Sequence, residues 1–98
     1  MKAQIFYCGT DAKGRFIDFS KHKQPVRLSG HDKIHRVTIR QCTKPTDDTY
    51  WAWWNNEKNE FQHIHPSYMS VALKVPFVPK YLTELGKGKL VPVRIDPI

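Results

Sequence analysis

Cysteines are few in this 98-residue chain, long apolar runs are missing, and acids are scarce in one third of it. Two cysteines, Cys8 and Cys42, cannot build a disulfide framework or a zinc ribbon. Each lies in an apolar, strand-like run, where a small buried hydrophobe is the expected role. A single disulfide between them stays open if their strands pair. No run approaches membrane-spanning length, and the opening MKAQIFYCG lacks the apolar region of a signal peptide. A cytoplasmic protein with no membrane contact is the expectation. No internal repeat, low-complexity tract or second-domain break interrupts the chain, so residues 1–98 read as one small domain.

The scarcity of acids is local. Residues 13–44 hold nine Lys/Arg against two acids, Asp18 and Asp32, while the rest of the chain balances at seven of each. The whole net charge of +7 therefore lies in that third. A clustered positive field favours polyanions such as nucleic acid, an anionic surface or an acidic protein. The bland alternative is a soluble surface rich in lysine.

Short alternating runs dominate what is present. Ala3 to Cys8 and Arg15 to Phe19 flank a turn at Gly9 to Gly14 and read as a first hairpin. That turn nearly matches a phosphate-binding loop, but Arg15 stands where Lys is needed and Phe16 where a hydroxyl is needed. No helix pattern follows, so the motif is rejected. Val26 to Leu28 reads as a short strand. Ile34 to Cys42 alternates, with His35, Val37 and Ile39 on one face and Arg36, Thr38 and Arg40 on the other. Tyr68 to Val75 alternates too and favours a strand, with a helix from Ser67 as competitor. Pro79 to Leu85, stopped by Gly86, is the best helix pattern, so one short helix is expected near residues 79–86. Leu90 to Ile95 is a last strand, placed at an edge because Pro92 has no amide hydrogen. The expected fold is mainly β, on the border of α+β. It is a small antiparallel meander or partly closed barrel of six to seven short strands with that one helix.

Tyr50 to His65, YWAWWNNEKNEFQHIH, holds all three tryptophans and reads as a β-hairpin about Asn56 to Asn59. Its register forks. A three-residue loop pairs Trp53 with His63 and Trp51 with His65, and puts Trp51, Trp53, Phe61, His63 and His65 on one face. A two- or four-residue loop pairs Trp54 with Phe61 and moves the histidines to the Tyr50 and Trp54 side. Large aromatics on both faces require one set to be core and the other to be covered by the chain, a second subunit or a ligand.

His63-x-His65 has metal-ligand spacing, but no third ligand follows it. The acid that a cupin barrel would place a few residues later is missing, so no metal or other cofactor is expected. Neither cysteine nor any serine sits in a nucleophile motif. The favoured function is a non-enzymatic module binding nucleic acid. Arg27, Arg36, Arg40 and Lys44 would sit on phosphates, and Trp51, Trp53 and Phe61, flanked by His63 and His65, would form the stacking surface. The competing class is a protein-interaction or oligomerising module, such as a homodimer or an inhibitor, using the same aromatics as anchors. A small metal-independent ribonuclease is a third, weaker alternative.

Overall fold

The computed structural model describes residues 2–46, 49–74 and 88–98. Six strands form one sheet: β1 (Gln4–Thr10), β2 (Phe16–Ser20), β3 (His35–Gln41), β4 (Tyr50–Asn55), β5 (Glu60–His65) and β6 (Gly88–Pro97). Among the described residues two short helices accompany them, α1 (Lys23–Leu28) and α2 (Tyr68–Lys74). All pairings are antiparallel, in the order β2-β1-β3-β6-β4-β5. The expected mainly β, antiparallel fold is therefore present, and of the meander and the partly closed barrel it takes the barrel-like form, nearly closed. The helix expected at 79–86 lies outside the described residues.

The sheet curls until its two edge strands meet. Lys21 and Glu60 form an ion pair at 3.2 Å across the closing seam. Gln4 of β1 reaches the far edge: its Oε1 accepts from the Phe61 amide at 3.1 Å, and its Nε2 donates to the Asn59 carbonyl at 2.6 Å. A side chain thus supplies part of the ladder that an open edge would lack. Each edge strand also carries one extra residue in a left-handed conformation, Asp18 in β2 (φ 56°) and His63 in β5 (φ 55°). Such bulges bend and twist a strand, which suits a sheet that must close on itself.

Inside the curl lie Phe6, Cys8, Val37, Ile39, Ala52, Trp54, Phe61, Ile64, Val91 and Val93, all buried. The alternation read in β3 holds: Val37 and Ile39 are fully buried, and Arg36 and Arg40 are exposed. The bulge at His63 lets Phe61 and Ile64, three residues apart, both point inward.

Three local expectations are corrected. Val26 to Leu28 is the end of α1, not a strand. Pro25 occupies the first turn, where an amide hydrogen has no partner to lose, and Val26 is the helix's one buried residue. Tyr68 to Lys74 is helical, as the competing reading had it. Ser67 starts it, its Oγ accepting from the Ser70 amide at 3.4 Å and its carbonyl accepting from the Val71 amide at 3.3 Å. The period of two in the sequence misleads because Met69 and Leu73, apolar and two positions either side of the buried Val71, are exposed on the helix.

The third correction concerns Pro92. It lies in β6, a central strand, between β3 and β4. Its carbonyl accepts from the Cys42 amide at 3.0 Å, so its missing amide hydrogen faces the same neighbour. That neighbour is β3, which ends at Gln41, so the proline forgoes only one bond just past a strand end.

Candidate functional site

Strand pairing places residues from three separate stretches on one outer surface, because directly opposed residues share a face. Arg40 opposes Arg94 and Thr38 opposes Asp96 across β3 and β6. Pro92 and Leu90 oppose Trp51 and Trp53 across β6 and β4. The outer face therefore runs from an arginine end (Arg36, Arg40, Arg94) to a tryptophan end (Trp51, Trp53). Like charges directly opposed repel. Asp96 sits between them, 3.4 Å from the Arg40 Nε and 3.2 Å from the Arg94 Nε. These groups are well exposed, so each pair contributes at most about 1 kcal/mol.

The helices flank this surface. α1 packs on β1 and β2, with Val26 fully buried and the Lys23 ammonium 5.5 Å from the Tyr7 ring centre. α2 packs on β4 and β5, where Tyr68 meets Trp51 edge-on at 4.9 Å. Trp53 lies across the backbone of Gly88: a Cβ there would be 2.3 Å from the indole Cζ2. Both outer tryptophans are half-buried by these contacts and keep partial exposure.

The hairpin uses both branches of the fork in register. Residues 56–59 make a four-residue loop, so Asn55 pairs with Glu60 and Trp54 with Phe61. The bulge then shifts the ladder by one residue, and Trp51 pairs with His65. The Asn55 Oδ1 accepts from the Glu57 and Lys58 amides at 2.9 and 3.0 Å, and Asn59 takes the left-handed position (φ 52°).

The expected site residues consequently part company. Arg36, Arg40, Trp51 and Trp53 share the outer face. Arg27 is exposed on the last turn of α1, a helix that packs on β1 and β2. Lys44 belongs to the loop between β3 and β4 and lines a cleft at one end of the barrel. Phe61 is 1% exposed and stacks edge-on with Trp54 at 4.9 Å, so it is core and offers no stacking surface. His63 is exposed on the edge strand, and the His65 Nδ1 accepts from the Ser67 amide at 3.0 Å. Arg94, Leu90 and Pro92 join the face unforeseen, since nothing in the sequence signals that β6 inserts between β3 and β4.

Other chemistry-bearing groups are dispersed. The His31 Nε2 lies 2.6 Å from the Asp18 Oδ2, over the backbone of Gly9. His35 packs edge-on against Phe16 at 5.4 Å. Among the described residues, no three His, Cys, Asp or Glu side chains converge as metal donors. Both cysteines are free. Their strands do pair, but Cys8 opposes His35, seven positions along β3 from Cys42, a span of about 23 Å at strand rise. Burial pushes the Cys8 thiol up to about 12, which suppresses its nucleophilic thiolate. Burial also raises the Tyr50 phenol, whose O–H donates to the Phe16 carbonyl at 2.9 Å. No described helix is long and apolar enough to cross a membrane. Comparison with known proteins finds no matching family model and no significant match among curated proteins or solved structures.

Proposed function

We propose that the chain is a small, non-enzymatic module that binds single-stranded nucleic acid on the outer face of β3, β6 and β4. One observation carries the reading: Arg36, Arg40 and Arg94 form a surface continuous with the half-exposed Trp51 and Trp53, although the sequence holds them in three separate stretches. Arginine forks take phosphate oxygens, and indole faces stack bases with little regard to sequence. A curved sheet surface suits a strand whose bases can splay. Reading a duplex groove needs an inserted helix or ribbon, and the described helices have six and seven residues and are docked on the sheet.

Fluorescence anisotropy with mixed-sequence single- and double-stranded oligonucleotides across a salt series tests the proposal. Single strands bind more tightly, and affinity falls steeply with salt. Arg36→Ala and Arg40→Ala each flatten the log–log slope by about 0.7. Failure to bind at low salt, or binding indifferent to both substitutions, sinks the reading. A second reading has its own observation: Tyr68, Met69 and Leu73 of α2 are 46%, 61% and 79% exposed, an apolar strip suited to a protein interface. Sedimentation that finds a dimer dispersed by Leu73→Glu, with no nucleic-acid binding, favours it.

A further inference from the structure

A cleft of about 560 Å³ opens where the β1–β2 turn, the β3–β4 loop and the second half of β6 come together. It exists because two paired strands differ in reach. The β4–β6 ladder ends at Tyr50↔Val93, while β6 continues along β3 to Pro97. The space beside β6 beyond Val93 is left to the cleft.

Its chemistry is divided. Arg15, Lys44 and Arg94 supply cations to the lining, against one carboxylate, Asp96, among the described lining residues. Phe16 and Tyr50 supply aromatic surface. The arginines are held by their inner edges. The Asp11 Oδ1 accepts from the Lys13 and Arg15 amides at 2.9 Å each, and its Oδ2 takes the Arg15 Nε at 2.9 Å. Asp96 takes the Arg94 Nε at 3.2 Å. A guanidinium anchored through Nε keeps its two terminal amino groups in a defined plane, the geometry that grips an oxyanion. Tyr50 is fixed by its bond to the Phe16 carbonyl and by edge-on packing against Phe19 at 5.9 Å. Its ring is thereby a rigid wall.

The volume lies in the range of small-molecule sites and is far larger than a bare phosphate needs. We infer that this cleft takes a nucleoside monophosphate unit, its phosphate on Arg15, Lys44 and Arg94 and its base against Phe16 and Tyr50. The unit comes either from a free mononucleotide or from the phosphorylated end of a strand. The cleft shares Arg94 with the outer face, whose Arg36, Trp51 and Trp53 do not line it.

Amide NMR spectra of the full chain, titrated with AMP, with inorganic phosphate, and with one oligonucleotide with and without a 5′-phosphate, test it. AMP shifts the amides of Gly14, Arg15, Thr46 and Ile95. Lys44→Glu, at an exposed loop position, weakens AMP at least about tenfold by turning attraction into repulsion. Arg36→Ala leaves AMP binding unchanged. Preference for the 5′-phosphorylated oligonucleotide, lost in Lys44→Glu, identifies a strand end as the source. Shifts with AMP alone identify a free nucleotide. Shifts of the same size with inorganic phosphate at equal affinity overturn the base-binding half, and absent shifts or an unaffected Lys44→Glu overturn the whole. The spectra also report whether each variant is folded, so a null result cannot be mistaken for unfolding. Oligonucleotide binding that survives Lys44→Glu but fails in Arg36→Ala separates this site from the outer face.

Discussion

Replacing Gly9 by alanine tests how the N-terminal bulge is built. A Cβ at Gly9 would lie 2.2 Å from the His31 Cγ and Nδ1, so the imidazole must leave its seat. Leaving breaks the 2.6 Å contact with Asp18, the residue whose left-handed backbone (φ 56°) creates the bulge. The His31 side chain is 15% exposed and Asp18 44%, so the pair contributes about 1 kcal/mol, and overpacking adds about 1–3 kcal/mol. Gly9→Ala alone should then cost about 2–4 kcal/mol. In a His31→Ala background the new methyl meets no ring. Gly9 is not in the left-handed region, so there alanine is neutral or stabilises by up to about 1 kcal/mol through the unfolded chain. The two changes should therefore couple by about 2 kcal/mol or more. Urea unfolding followed by tryptophan fluorescence measures it, since all three indoles sit in β4 and report on the sheet. A coupling energy below about 0.5 kcal/mol would mean that His31 does not dictate glycine at position 9.

Other expectations follow from single groups. His63→Gly removes the penalty of a left-handed non-glycine residue and should stabilise by up to about 1 kcal/mol, whereas His63→Val should destabilise, both read from urea midpoints. Gly88→Ala pushes a methyl against the Trp53 ring and the Trp54 carbonyl and should cost about 1–3 kcal/mol while altering the fluorescence of the folded state. In the native protein at pH 8 a disulfide reagent should label the half-buried Cys42 and spare Cys8, with both labelled in denaturant; equal native rates would contradict the burial. The Cys8 thiol is raised from 9.0 to about 12 on folding, so the folded state holds that proton more tightly than the unfolded one. Its stabilising effect is complete below pH 9 and is lost as pH climbs toward 12, and the raised Tyr50 phenol acts in the same direction. Cys8→Ala should lower stability but make its alkaline decline shallower.

Much of the sheet is legible in the chain because a half-buried strand must alternate. Val37 and Ile39 against Arg36 and Arg40 announce their faces without help from any neighbour. The hairpin turn is equally local, since Asn55, Asn56 and Asn59 are residues whose short side chains satisfy or tolerate turn backbone. The tryptophan faces are less legible, because one extra residue at His63 swaps the register halfway along a strand, and nothing about a histidine advertises a bulge. Short helices are hidden for another reason. In α1 and α2 a single buried valine marks the inner face, and one residue has no period. The composite surface of arginines and tryptophans is set by strand order, which depends on long-range pairing and leaves no local trace. Pro92 shows the limit of a residue rule: its cost depends on which neighbour its nitrogen faces and where that neighbour stops.

The position of β6 also governs how the molecule is assembled in time. Strands β2, β1 and β3 can pair among themselves, and so can β4 and β5, yet only β6 joins the two groups by strand ladders. It is the last of the six to leave the ribosome. Until it emerges, the inner edges of β3 and β4 are both unpaired, and no continuous sheet can enclose the apolar side chains between them. Contacts spanning this much sequence form slowly. During that interval the nascent chain presents two unpaired strand edges at once, the kind of exposure that invites pairing with a neighbouring chain.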